Sequence, residues 1–225
     1  MHLLIPFAAP LPEPGPGLAA LTSLVLPRLR ALLVGLSPGP RDEGDERSLS
    51  PPHERALARA LGLAGASGCL PWAALQARAD GVDPGDGAWG LLTPSHWHLG
   101  TEQLSLIDPA QLMLDEAGSR ALMAAVQDLF TSQGWQLRWG APLRWYAAHD
   151  SLAALPCAAL DRVIGRNVDA WMGSEPAARA LRRLQAEVQM QLYEHPLNEQ
   201  RQAALDHGHL HRAGRHLGHP GHGRR

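Results

Sequence analysis

Two strand-like segments separated by a helix-like segment constrain the fold of this chain more than any other feature. Residues 88–107 are rich in apolar and aromatic side chains, predict two strands, and end at Asp108-Pro109. Residues 135–145 alternate between large apolar and polar side chains, and 143–147 predict the return strand of a hairpin. The intervening segment, 115–130, repeats its apolar residues at helical spacing. This order predicts a small sheet with a helix beside it.

Further helical patterns flank this central region on both sides. The apolar N-terminal run 1–7 predicts a short buried first strand. The order of a strand, helices, a sheet segment and more helices predicts an α/β or α+β domain, with a small mixed sheet flanked by helices. We predict one globular domain over 1–201 and a disordered His/Gly/Arg-rich tail over 202–225, which has no apolar periodicity. The flanking helices are predicted at 18–36 with a break at Pro27, 52–61, 71–79, 158–172 and 176–193.

The composition argues against several classes of protein. The 225 residues carry a net charge of -2 and 45% hydrophobic residues, which disfavours nucleic-acid binding and allows a proper core. No apolar run reaches the ~18 residues of a membrane span, and the N-terminus lacks the basic start of a signal peptide. We therefore expect a cytoplasmic protein with no membrane partner. Lysine is absent from the chain, so side-chain cations for an anion must be arginines.

The two cysteines, Cys69 and Cys157, lie far apart in the sequence and form no C-x-x-C pair. A structural zinc site built on cysteine is therefore excluded, and a disulfide framework is not expected. We predict that both residues are small buried apolar side chains.

His96 and His98 form the first candidate site. In an extended strand their side chains share one face, opposite Trp97. Three interpretations stay open, namely a metal site, a ligand-binding surface without metal, and structural histidines beside Trp97. A metal site needs a third ligand, and the candidates for it are Glu102, Asp108, His149, Asp150 and Asp161.

Arg144, Arg162 and Arg166 form the second candidate site. Arg162 and Arg166 are separated by one turn of a predicted helix and so share a side. Guanidinium groups bind planar and tetrahedral oxyanions, so these arginines predict a cradle for a phosphate or carboxylate. The alternative is a set of ion pairs on a helix surface. The motifs G-x-S-x-G, P-loop and G-x-G-x-x-G are absent, so hydrolase, nucleoside-triphosphatase and dinucleotide functions have no motif behind them.

Four blocks of the sequence carry a resemblance to a known family. They are W-G-L-L-T-P-S-H-W-H-L-G-T-E-Q-L-S-L-I-D-P at 89–109, W-G-A-P-L-R-W-Y-A-A-H-D-S-L at 139–152, L-D-R-V-I-G-R-N-V-D-A-W at 160–171 and R-R-L-Q-A-E-V-Q-M-Q-L-Y-E-H-P-L-N-E-Q-R at 182–201. Together they resemble the RpfE-type regulatory proteins of proteobacteria, which are often labelled phosphoglycerate mutase. The last block, with H-P-L-N-E-Q-R, is more distantly similar to archaeal-type cofactor-independent phosphoglycerate mutases.

The resemblance implies a reduced alkaline-phosphatase-like architecture and, in the mutases themselves, a site of two metals with a Ser or Thr nucleophile. Those enzymes carry an Asp-Gly metal motif after the first strand, whereas here Ile5 is followed by Pro6-Phe7-Ala8-Ala9. A two-metal site therefore lacks ligands. We expect a regulatory or ligand-binding protein without a cofactor, whose partner is a small anionic metabolite or another protein.

The residues expected to bind the ligand are His96, His98, Arg144, Arg162, Arg166 and Asn198. The alternative function is a metal-dependent phosphomutase or phosphatase that acts on a small phosphorylated metabolite. Its metal, Mn or Zn, would be held by His96, His98, Asp108 and His149.

Overall fold

The computed structural model describes residues 4–6, 24–37, 39, 41–45, 47–99 and 104–198. In this part of the chain, helices surround one three-stranded and one two-stranded sheet. The predicted α/β class, with a small sheet flanked by helices, is confirmed. The ladders are antiparallel, and an isolated parallel bridge joins Leu106 to Ile164. The predicted tail 202–225 and the metal-ligand candidate Glu102 lie outside the described residues.

Local sequence signals explain where several helices begin. Proline occupies the first turn of three of them, where its missing N–H and fixed φ are tolerated. Asp115 caps the central helix, because its carboxylate accepts the Gly118 N–H at 2.8 Å. No described helix combines the length and the apolar character that crossing a membrane requires. The helices are α1 (Pro27–Val34), α2 (Pro52–Ala60), α3 (Trp72–Ala79), α4 (Glu116–Thr131), α5 (Leu160–Val163) and α6 (Pro176–Tyr193).

The predicted hairpin forms the centre of the larger sheet. The strands are β1 (Trp89–Leu92), β2 (Trp97–Leu99), β3 (Leu104–Leu106), β4 (Gln136–Ala141) and β5 (Arg144–Ala148). Their order in the larger sheet is β1-β5-β4, with Trp89 of β1 opposite Ala148 of β5. Residues 88–107 hold three strand segments rather than the predicted two, because β2 and β3 pair as a separate antiparallel sheet.

The core lies where the larger sheet meets α4 and α6. Phe130 at the end of α4 meets Trp135 edge to face, with ring centres 6.1 Å apart. Trp139 is half-buried at the rim of this core, and the Arg120 guanidinium lies 3.7 Å from the centre of its ring. The buried members of the cluster are Val126, Phe130, Trp135, Leu137, Trp145, Ala147 and Leu184.

The predicted helix 158–172 is wrong in its middle. Ile164 is extended, with φ -54° and ψ 127°, and Gly165 adopts a φ of +73° that leaves the helical path. The extended backbone pairs with β3, and the Gly165 N–H donates to the Leu106 carbonyl at 2.8 Å. A 3-10 turn follows at Val168–Trp171. Pairing with a distant strand has overridden a helical apolar pattern here.

The predicted first strand is not formed by the described residues 4–6. Leu4 and Ile5 are exposed, and Pro6 lies in a turn. Pro6 has no N–H to donate to a ladder, which disfavours a strand at this point. The remaining residues of this prediction, 1–3 and 7, lie outside the described part of the chain.

Candidate functional site

The sheet of β2 and β3 lies against the segment that follows α5. Ser105 of β3 pairs with His98 on one side and with Asn167 on the other. Side chains of directly opposed residues in antiparallel pairs point to the same face. His98, Ser105 and Asn167 therefore form a row across one face. His96 and His98 are both exposed, on either side of the half-buried Trp97.

A cleft opens at the Asn167 end of this row. Its volume is about 400 Å³. The Arg166 guanidinium lies 6.0 Å from the centre of the Trp171 ring, and the Asn167 carboxamide oxygen accepts the Asp169 N–H at 2.9 Å. None of the described residues that line the cleft is acidic, and the charged groups among them are two guanidiniums. The lining residues are Arg47, Arg166, Asn167, Ala170 and Trp171.

Arg162 borders the same part of the molecule. Its Nη2 donates to the Ser48 hydroxyl at 2.9 Å, and Ser48 directly follows the cleft residue Arg47. Its Nε is buried and has no hydrogen-bond partner among the described residues. Arg162 and Arg166 thus both adjoin the segment 47–48, although the helix predicted to join them is interrupted.

A half-buried polar cluster surrounds Arg162. His53 Nε2 lies 3.1 Å from Asp161 Oδ2, and Glu54 sits beside His53 at the start of α2. Burial is the largest influence on Glu54 and raises the pKa of its carboxyl. The charge of Asp161 raises this pKa further, while Trp72 and Arg162 act in the opposite direction. The folded protein therefore resists the ionisation of Glu54.

Replacing Glu54 with glutamine is expected to raise the melting temperature at pH 7 by about 1–3 °C. Because folding raises the pKa of Glu54, its stabilising contribution is fully present below the unfolded pKa of 4.5 and is lost as the pH rises. Glutamine keeps the neutral shape at every pH. Scanning calorimetry at pH 7 and at pH 4 checks this, since the advantage of the variant must shrink at pH 4. An equal difference in melting temperature between the variant and the wild type at pH 7 and at pH 4 would contradict a role for the charge of Glu54.

Arg144 does not join the cleft residues, although it was predicted to bind the ligand. Its Nε and Nη2 donate to the two carboxylate oxygens of Asp80 at 2.9 and 2.8 Å. The Tyr146 hydroxyl donates to the same carboxylate at 2.5 Å. These two donors hold the pKa of Asp80 below its usual range. The guanidinium fork of Arg144 is thus occupied by a structural ion pair.

Asn198 also makes local contacts. Its Nδ2 donates to the Tyr193 carbonyl at 3.4 Å, and its backbone N–H donates to the His195 carbonyl at 2.8 Å. These bonds close the chain around the C-terminal end of α6. Asn198 is not among the residues that line the cleft.

The ligand set of the alternative metal site is not assembled by the described residues. The His149 ring stacks on Trp135 with centres 4.4 Å apart, and its Nδ1 contacts the Ser151 hydroxyl at 2.8 Å. The Asp108 carboxylate accepts the Ala110 N–H at 2.9 Å and caps a 3-10 turn. Within the described ranges, no group of three or more His, Cys, Asp or Glu side chains is arranged to hold a metal ion.

Comparisons with known proteins give no family for this chain. No family model, no curated protein and no solved structure matches it. The geometry of the cleft therefore carries the functional argument.

Sequence reasoning missed four of the five described lining residues, namely Arg47, Asn167, Ala170 and Trp171. Arg47 lies in a loop that also holds several acids, where an ion-paired surface role is the ordinary expectation. Trp171 falls at a position that the apolar pattern of 158–172 assigns to a helix core. The sequence held a signal for three of them, because L-D-R-V-I-G-R-N-V-D-A-W places Asn167, Ala170 and Trp171 in one short stretch with Arg166.

Proposed function

We propose that this protein binds a small anionic metabolite in the cleft, in a regulatory rather than a catalytic role. The observation that carries the proposal is the pair of guanidinium groups, Arg47 and Arg166, in a cleft whose described lining holds no acid. Guanidinium forks donate two parallel hydrogen bonds to phosphate or carboxylate, and these charge-assisted bonds are shorter and stronger than neutral ones. A chain without lysine has arginine as its only such cationic donor at neutral pH.

The remaining lining suits a ligand that has an apolar part beside its anionic group. The Trp171 indole and the Ala170 side chain supply apolar surface within a volume of about 400 Å³. This volume falls in the ~300–1,000 Å³ range of small-molecule sites. Asn167 adds a polar group to the lining, and His98 and Ser105 continue its row outside the described lining. A phosphorylated or carboxylated metabolite of a few carbon atoms fits this combination.

The same proposal includes that this chain is related to the RpfE-type regulatory proteins and, more distantly, to the phosphoglycerate mutases, without their two-metal site. The lack of an acid after Ile5 supports a chain without the two-metal site. The local contacts of His149 and Asp108 support it as well, since neither side chain is directed to a common site with the exposed histidines. A metal-dependent phosphomutase stays the alternative, and stoichiometric Mn or Zn in the purified protein would favour it.

Replacing Arg166 with glutamine is expected to weaken anion binding by about 10- to 100-fold. A hydrogen bond to a charged group contributes about 1.5–3 kcal/mol, which converts to this range of affinity. The measurement is a thermal-shift titration of the full chain with phosphoglycerate, inorganic phosphate and a carboxylate without phosphate. Wild-type protein at 100 times the dissociation constant should gain about 2.7 kcal/mol of stability.

The matched control is Arg78→Gln, which removes the same charge from an exposed position at the end of α3. This variant should bind as the wild type does. Failure of every anion to stabilise the wild-type chain would contradict the proposal. Equal losses in the Arg166 and Arg78 variants would show a response to net charge rather than a site.

A further inference from the structure

The fold brings the two cysteines of the chain onto neighbouring backbone segments. The Cys157 N–H donates to the Gly68 carbonyl at 2.9 Å, and Cys69 directly follows Gly68. The approach is close enough that a Cβ on Gly68 would lie 3.0 Å from both the nitrogen and the oxygen of Cys157. Hydrogen-bonded backbones run about 5 Å apart. Cys69 is one residue beyond this contact, and a disulfide needs its Cα to come within ~4.4–6.8 Å of the Cα of Cys157.

Other hydrogen bonds hold these segments in place. The Gly68 N–H donates to the Ser50 hydroxyl at 2.9 Å, and the Ser50 N–H donates to the Ser67 hydroxyl at 3.2 Å. The Ala159 N–H donates to the Leu49 carbonyl at 2.9 Å. Ser50 itself is buried. The segments around Leu49, Gly68 and Cys157 therefore form one hydrogen-bonded unit, and both cysteines belong to it.

We propose that Cys69 and Cys157 form a reversible redox site, which a small disulfide of the glutathione type oxidises to an intramolecular disulfide. One protein thiolate attacks glutathione disulfide, which forms a mixed disulfide and releases one reduced glutathione. The second protein thiolate then attacks the protein sulfur of that mixed disulfide and releases the second glutathione. Two protein thiols and one glutathione disulfide thus become one protein disulfide and two glutathione thiols. This function is independent of anion binding in the cleft.

The surroundings of the thiols set how the reaction proceeds. The predicted burial of both cysteines is wrong, since Cys157 is exposed and Cys69 is half-buried. A small disulfide therefore has access to the pair. Desolvation of the sulfur raises the pKa of the Cys157 thiol, and the nearby Cys69 raises it further. The thiolate is the attacking species, so oxidation that begins at Cys157 should accelerate as the pH rises from 7 to 9. The influence of Cys69 on the Cys157 thiol also agrees with their proximity.

The test is peptide mapping of the full chain after incubation with glutathione disulfide at low protein concentration. Blocking of free thiols and digestion with trypsin should then give the peptides 60–78 and 145–162 joined by a disulfide, with the loss of two hydrogen atoms. Reduction should separate them. Oxidised protein should also melt about 5–10 °C higher than reduced protein, because the bond closes a long loop.

The single variants Cys69→Ser and Cys157→Ser serve as matched controls. Each should lose the joined peptides and the rise in melting temperature, and each should retain glutathione on its remaining cysteine. Wild-type protein that ends with glutathione on both cysteines, or with links only between chains, would overturn the proposal. A link that forms only after the protein is unfolded in urea would overturn it as well.

Discussion

Replacing Ser119 with alanine is expected to lower the free energy of unfolding by about 3 kcal/mol. The Ser119 hydroxyl is fully buried in α4 and accepts the indole N–H groups of Trp139 and Trp145 at 3.0 and 2.9 Å. It also donates to the Pro142 carbonyl at 2.9 Å in the turn between β4 and β5. Alanine leaves these three partners without their bonds, and each unsatisfied buried group costs about 1–3 kcal/mol, with the half-buried Trp139 at the low end.

The matched control for this prediction is Ser132→Ala at the end of the same helix. The Ser132 hydroxyl donates to the Leu129 carbonyl in an exposed position, so its loss should change stability by less than about 0.5 kcal/mol. Urea denaturation followed by circular dichroism gives both values. Similar small losses for the two variants would contradict the role of Ser119 as the hydrogen-bond centre of the hairpin.

Replacing Asp80 with alanine is expected to lower the free energy of unfolding by about 2–3 kcal/mol. Its carboxylate joins the end of α3 to β5 through both Arg144 and the buried Tyr146 hydroxyl. Removal of one partner from a buried ion pair costs about 3–5 kcal/mol, and the 41% exposure of the Arg144 side chain reduces this loss. Equilibrium denaturation checks the value, and a loss below 0.5 kcal/mol would contradict it.

The pH dependence of stability gives an independent check on Asp80. Its pKa is lowered from 3.8 in the folded protein, so its contribution is present above pH 3.8 and is lost as the pH falls through the folded value. Burial first, and then Asp80, raise the pKa of Tyr146 from 10.0 to about 12. The contribution of Tyr146 is therefore full below pH 10 and is lost between pH 10 and 12. A Tyr146→Phe variant should lack this loss of stability between pH 10 and 12, which for the wild type is roughly 3 kcal/mol.

Much of the fold follows from local sequence patterns. The hairpin of β4 and β5 was predicted because 135–145 alternates between apolar and polar side chains and 143–147 can return as the second strand. The helix α4 was predicted from its apolar period, and Asp115 at its start caps it. These signals act between residues that are close in sequence, so they survive without knowledge of the tertiary structure.

The errors in the prediction arise where contacts between distant residues override a local pattern. The helix predicted at 158–172 is broken because Ile164 pairs with Leu106, and no local signal announces a partner at that distance. Gly165 was a hint, since glycine readily adopts the positive φ that it has here. Cys69 and Cys157 are likewise far apart in the sequence, but the fold brings the backbone of Cys157 against Gly68, the residue before Cys69.

The candidate site shows the same division. Arg166 was predicted from its spacing to Arg162, whereas Arg47 reaches the cleft from a loop far away in the chain. Arg144 was assigned to the ligand, and its actual partner Asp80 lies 64 residues earlier. Residue type predicts which side chains can bind an anion. Only the tertiary structure shows which of them already form an ion pair with a carboxylate of the protein.

The most direct test of the anion-binding cleft is calorimetric titration of phosphoglycerate into two double variants of equal net charge. Arg47→Gln/Arg166→Gln removes both guanidiniums of the cleft, and Arg78→Gln/Arg183→Gln removes two exposed ones elsewhere. We predict binding of one phosphoglycerate per chain by the wild type and by the second variant, with at least a 100-fold weaker affinity in the first. Equal affinities in the two variants would contradict the account.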